Sequence, residues 1–248
     1  MSKVKSVFKK VSPINAILIL CGVVLLGSVS VLFGYTLCNN GLIVASSKQS
    51  VSGYYLIEAD CFEDYDKAVE YSAQIKAQGG AGFIRFDDGF RVFLAGYQSQ
   101  NDAKEVINKV EGFENKKIYT LSIDEFNFDN GFSQNINTII RNNIITFKYS
   151  IESLNNALIG FDKGEKSEID VKNSCVLILE ELQLQNERFM DNYVLNSTML
   201  KYKNYIEEFY NMIESVINLE VSGTEFSSIV KYQEIGCMFK LQDILKIC

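Results

Sequence analysis

Five side chains whose types could recognise a ligand are brought together by one hairpin. Asp87-Asp88-Gly89 separates two short alternating runs and fits a three-residue loop, a type I turn closed by Gly89 in the left-handed region. That loop pairs Ile84 with Val92, Phe83 with Phe93 and Arg85 with Arg91. Ile57, Ala59, Ile84, Val92 and Leu94 then point toward the flanking helices, and Glu58, Phe83, Arg85, Arg91 and Phe93 point away. A sheet face with two aromatic rings, two guanidiniums and a carboxylate either binds something or is covered by something.

Binding, not bond-breaking, is the chemistry this set suits. The chain has no histidine, which removes the usual general base and the Ser-His and Cys-His nucleophile pairs. Nothing in the sequence puts a paired acid and base in a cleft, so no enzyme activity and no cofactor are expected. The six cysteines, Cys21, Cys38, Cys61, Cys175, Cys237 and Cys248, show no CxxC and no metal-ligand spacing. They fit small apolar positions better than disulfides. A net charge of -7 argues against a nucleic-acid partner, whose phosphates need clustered Lys and Arg.

The elements that hold the five residues form a repeat. Tyr55-Leu-Ile-Glu-Ala-Asp-Cys-Phe62 leads over five residues to Ala68, and Phe90-Arg-Val-Phe-Leu-Ala-Gly-Tyr97 leads over five residues to Ala103. The offset of 35 residues persists from Tyr55 and Phe90 through Ile75 and Val110. Each half is an alternating strand, an aromatic, a polar turn and a helix with a small residue facing the sheet. The spacing predicts strands at 54–59, 82–86, 90–96 and 117–123 and helices at 64–78 and 100–110. This βαββαβ order gives a four-stranded antiparallel sheet with both helices on one face.

These halves resemble the SPOR domain, the sporulation-related repeat of bacterial cell-envelope proteins, over about 54–123. The residues that carry the resemblance are Ile57-Glu-Ala-Asp-Cys-Phe62 with Ala68, Ile75 and Gly79, matched by Val92-Phe-Leu-Ala-Gly-Tyr97 with Ala103 and Val110. The resemblance implies that the open sheet face binds peptidoglycan glycan strands lacking stem peptides. Phe83 and Phe93 would then cover apolar sugar faces, Arg85 and Arg91 would meet lactyl carboxylates, and Glu58 would accept from hydroxyls. The sequence departs from the family in its first strand, where Glu58 and Asp60 stand in place of Gln and Gly. RNA-recognition modules share the βαββαβ order, but the third strand lacks their basic aromatic signature.

Around the repeat the chain divides further. A basic tail, 1–12, with Lys3, Lys5, Lys9 and Lys10 precedes an uncharged apolar stretch within 13–38, long enough to span a bilayer. The lysine excess predicts a single-pass anchor with a cytoplasmic N-terminus, longer than the apolar core of a cleaved signal peptide. Leu20 and Leu37 stand before Cys21 and Cys38 where a lipoprotein cleavage site wants a small residue. Linkers are expected at 39–53 and 124–133.

Residues 134–248 show four helical stripes, of which Ile136, Ile140, Ile144, Phe147, Ile151, Leu154 and Leu158 form the first, ending near Gly160. Val171, Cys175, Ile178, Leu182 and Phe189 form the second, and Met199 through Val216 the third. The fourth, weaker, is Phe226, Val230, Cys237, Leu241 and Ile244. An antiparallel bundle is the natural packing. Glu180, Glu181, Glu207 and Glu208 lie in polar stretches where solvated faces are expected.

The fold class is α+β: an N-terminal transmembrane helix, a βαββαβ domain and an all-α bundle. The expected function is that of a membrane-anchored peptidoglycan-binding protein of division or sporulation, concentrated at septa. The alternative is an envelope scaffold whose bundle recruits a protein partner while the sheet face is packed. Burial of Phe83 and Phe93 under the helices favours the scaffold; an open aromatic face favours glycan.

Overall fold

Local chemistry fixes where the elements of the sheet half begin and end. The computed structural model describes residues 53–123, 133–191 and 197–247, so the expected basic tail, membrane helix and nearly all of both linkers lie outside the described residues. Strand β1 (Gly53–Phe62) leads into helix α1 (Tyr65–Ala77), β2 (Phe83–Phe86), β3 (Phe90–Tyr97), α2 (Gln100–Lys109) and β4 (Lys117–Ser122). Asp64 caps α1 by accepting from the amides of Asp66 and Lys67, and Ser99 caps α2 through those of Asn101 and Asp102. Caps of this kind are worth about 1 kcal/mol each.

The sheet is antiparallel, in the order β2-β3-β1-β4. The β2–β3 register is the expected one: Phe83 pairs with Phe93, Ile84 with Val92 and Arg85 with Arg91. The turn differs in detail. Asp88, not Gly89, takes the left-handed conformation, at φ 52°, while Gly89 sits at φ 143°. Gly89 is needed there because a Cβ would fall 2.8 Å from the Cys61 sulfur. β1 runs three residues beyond the expected end at Ala59, with an irregular register between Ile57 and Asp60. Asp60 shapes this corner with its carboxylate, accepting from the Cys61 amide and from Asn115.

One sheet face behaves as the alternation predicts. Ile57, Ala59, Val92 and Leu94 join Ala68 and Ile75 of α1 and Phe113 in a small core beneath α1 and α2, with Ile84 packed against it. Ala68 and Ala103 are fully buried where their helices meet the sheet.

Four longer helices follow: α3 (Gln134–Asp162), α4 (Glu168–Asp191), α5 (Ser197–Ile217) and α6 (Gly223–Ile247). Every expected stripe is buried, apart from the half-buried Ile136 at the start of α3, which continues two residues past Gly160. None of these helices is long and apolar enough to cross a membrane. The sheet and bundle do not stand apart, because Tyr54, Leu56, Phe93, Leu121 and Ile123 share one continuous core with α3–α6. The described residues therefore lie in a single compact unit.

Candidate functional site

Helix α6 lies on the sheet face that was expected to be open, and its sequence explains why. Phe226, Val230, Cys237, Leu241 and Ile244 face the bundle, and Tyr232, Gly236, Phe239 and Asp243, spaced four, three and four, meet the sheet. A helix that is apolar on two sides must be buried on two sides. Phe239 stacks on Phe83 with centroids 5.6 Å apart and an interplanar angle of 11°, and it meets Phe93 at 5.6 Å. Tyr232 closes on Phe83 at 4.9 Å. Phe93 is fully buried and Phe83 half-buried, so neither ring offers a free face to a sugar.

The charged members of the expected site are also engaged. Arg85 donates to Asp243 of α6 at 3.2 Å, with its guanidinium 5.0 Å from the centre of the Phe239 ring. Glu58, only 1% exposed, accepts from Arg91 at 2.9 Å and pairs with Lys117 at 3.1 Å. Arg91 also donates to the Asp87 carbonyl at 3.1 Å and lies 5.5 Å from the Tyr119 ring centre. Burial disfavours its charge, yet the hydrogen bond and field of Glu58, with Cys61 and Asp87, raise its pKa on balance. The face expected to be open is therefore covered by α6 at Phe83, Phe93 and Arg85. Phe83, Phe93 and Arg85 form part of the seam between sheet and bundle, whereas Glu58 and Arg91 pair with each other and with Lys117 and Asp87 of the sheet half.

Within that seam lies a buried acid that periodicity did not single out. Glu234 of α6 is 1% exposed and accepts a hydrogen bond from Asn155 of α3, which also donates to the Gly96 carbonyl of β3 at 3.0 Å. Desolvation pushes Glu234 up to about 8, against the opposing pull of Asn155 and Lys231, with Asp162 adding to the rise. The same burial, with Glu234 nearby, moves the hydroxyls of Tyr54 and Tyr97 well above the usual tyrosine range. Glu234, Asn155 and Tyr54 are buried, and the chemistry of this cluster is that of an interface. Its sequence signal is a carboxylate set among the buried apolar residues Val230, Ile235, Cys237 and Met238 of α6.

Of the described thiols, Cys175 and Cys237 are buried and Cys61 is half-buried. Cys61, Cys175 and Cys237 are free, and burial raises Cys175 to about 12 and Cys237 far above its ordinary value. Among the described residues no group of three or more Cys, Asp or Glu could hold a metal ion.

Two open concavities stand out among the described residues. One, of about 410 Å³, runs along the outer edge of β2 against α1 and is lined by Tyr65, Val69, Lys76, Phe86, Phe90 and Tyr232. Phe86 is 68% exposed, and Phe90 joins it to Tyr65 through centroid separations of 5.1 and 5.3 Å. This aromatic ledge was missed because Phe86 and Phe90 flank the hairpin loop, where alternation had assigned no face. The other, of about 500 Å³, lies between α3 and α4, with Thr146, Ser150 and Ser153 on one wall and Leu177 and Glu181 on the other. No family model, curated protein or solved structure matches this chain.

Proposed function

We propose that this protein is a membrane-anchored envelope scaffold, in which a SPOR-like sheet serves as the seat of a helical bundle and the bundle engages a protein partner. The single observation that carries this reading is the closure of the sheet face by α6, with Phe93 fully buried against Phe239. A face committed to an intramolecular seam is not free for a glycan strand. The anchor rests on the uncharged apolar stretch within 13–38 and its lysine-rich flank, and the envelope setting on the resemblance of the repeat.

A second reading is favoured by the ledge of Tyr65, Phe86 and Phe90. Exposed rings in a shallow cleft suit the apolar faces of sugars, so peptidoglycan could be met at the β2 edge instead of the sheet face.

One experiment separates the two. The full chain, solubilised in detergent, is sedimented with amidase-treated and untreated sacculi. The scaffold reading expects no enrichment on either. Enrichment on treated sacculi that falls with Phe86→Ala and Tyr65→Ala would overturn it in favour of the ledge.

A further inference from the structure

Helix α4 carries two apolar stripes on opposite sides. Val171, Cys175, Ile178, Leu182 and Phe189 face inward and are buried. On the outer side Ile169, Val176, Leu177 and Leu184 are 68, 39, 67 and 43% exposed. Ile169 to Val176 and Leu177 to Leu184 are each seven residues, two turns, so each pair follows one row and the two rows, about 80° apart, run side by side as one broad line along the helix. A solvated helix face is ordinarily polar, and a line of exposed aliphatics marks a surface built to be covered. The packed neighbours of α4 are α3 and α5, and neither covers this line.

The charges on this side select the occupant. Glu180, Glu187 and Asp191 lie along the line, all exposed, with Asp170 and Glu181 beside it. Of the two cations on α4, Lys172 donates to the Leu219 carbonyl and Arg188 stands in the last turn. A second copy of the chain would set Glu180 and Glu187 against the same carboxylates, and an anionic lipid surface would be repelled in the same way. Complementarity requires apolar side chains every three or four residues with lysine or arginine at the edges.

We propose that the outer face of α4, with Ile169, Val176, Leu177 and Leu184 set among Glu180, Glu187 and Asp191, docks a cationic amphipathic helix of a partner protein. From Ile169 to Leu184 the line is about 22 Å long at 1.5 Å per residue, which is about four turns of the partner. This rests on the scaffold reading and names the kind of partner it requires.

The probe is a labelled 18-residue peptide of leucine and lysine, with leucine at every third or fourth position, titrated by fluorescence anisotropy against the full chain in detergent. Its comparator has glutamate for every lysine. The lysine peptide is expected to bind and the glutamate peptide not. Leu177→Ser with Leu184→Ser, which leaves the charges intact, should weaken binding at least tenfold, and Glu180→Lys with Glu187→Lys should do the same. All four sites are exposed, so circular dichroism should be unchanged.

Equal binding of both peptides, or lysine-peptide binding untouched by either double variant, overturns the proposal. So does dimerisation of the chain that is lost with Leu177→Ser in sedimentation. Loss of the docking claim alone leaves the sacculus result negative; retention on treated sacculi through Phe86, with no peptide binding, removes the scaffold reading as well.

Discussion

Phe239 of α6 lies nearly parallel to Phe83 of β2, and its ring also meets Phe93 of β3, so one aromatic side chain spans two strands. This contact converts an antiparallel sheet that would otherwise have a wet face into the middle layer of a three-layer unit. Sheet and bundle should therefore unfold together.

Phe93→Ala tests that coupling. Phe93 is fully buried between Tyr119 and Phe239, and truncation of such a ring leaves a cavity costing about 3–5 kcal/mol. In urea the variant should show a lower midpoint for both the sheet and helix signals in one transition. If the helical signal kept its wild-type midpoint while tertiary fluorescence shifted, the shared core would not be the cooperative unit.

Glu58 and Arg91 form a desolvated pair, with the Glu58 side chain 1% and the Arg91 side chain 18% exposed. Removing one partner of such a pair strands the other, at about 3–5 kcal/mol, whereas replacing both with apolar groups is often tolerated. Arg91→Met alone should be strongly destabilising, and Glu58→Leu with Arg91→Met should recover most of the loss. Lys117 limits the single-variant penalty, because it stays 3.1 Å from Glu58. A double-mutant cycle by chemical denaturation reads the coupling, and simple additivity of the two singles would contradict it.

Much of this arrangement was legible in the sequence, and the missing part has a definite physical reason. The hairpin register followed from a three-residue loop and period-two alternation, which place Phe83 opposite Phe93, since a one-residue slip would have reversed every side chain. The bundle stripes followed from spacing alone. What alternation could not show was that α6 has a second stripe, Tyr232, Gly236, Phe239 and Asp243, because that stripe mixes aromatic, small and charged residues and carries little periodic signal. Its composition makes sense only opposite Phe83 and Arg85. Glu234 was hidden for the same cause, since its partner Asn155 is 79 residues away on α3.

Glu234 should make the fold alkali-sensitive. Its pKa rises from 4.5 to about 8 on burial, so the folded state holds a proton that the unfolded state releases. The stability from this group is complete below about pH 4.5 and is lost as pH rises through about 8. The groups around it are Asn155, Tyr54, Tyr97, Cys237, Lys231 and Asp162, and the tyrosines stay neutral across that window. Glu234→Gln keeps an acceptor for Asn155 and removes the titration. Urea midpoints should fall from pH 5 to pH 9 in the wild type and fall much less in Glu234→Gln; parallel profiles would rule the acid out as the cause.

Gly96 of β3 reports the fit between sheet and α6 most directly. A Cβ there would stand 2.7 Å from the Met238 sulfur, 2.9 Å from its methyl carbon and 3.0 Å from a Leu56 methyl. Gly96→Ala should overpack the seam at a cost of about 1–3 kcal/mol. Met238→Ala alone leaves a cavity and should cost about 2–5 kcal/mol. Combined, the new methyl enters part of the space that Met238 vacates, so the double variant should be more stable than the sum of the singles predicts. Thermal and urea unfolding of the four proteins give the interaction energy, and a value near zero would mean that α6 does not sit against β3 at Gly96.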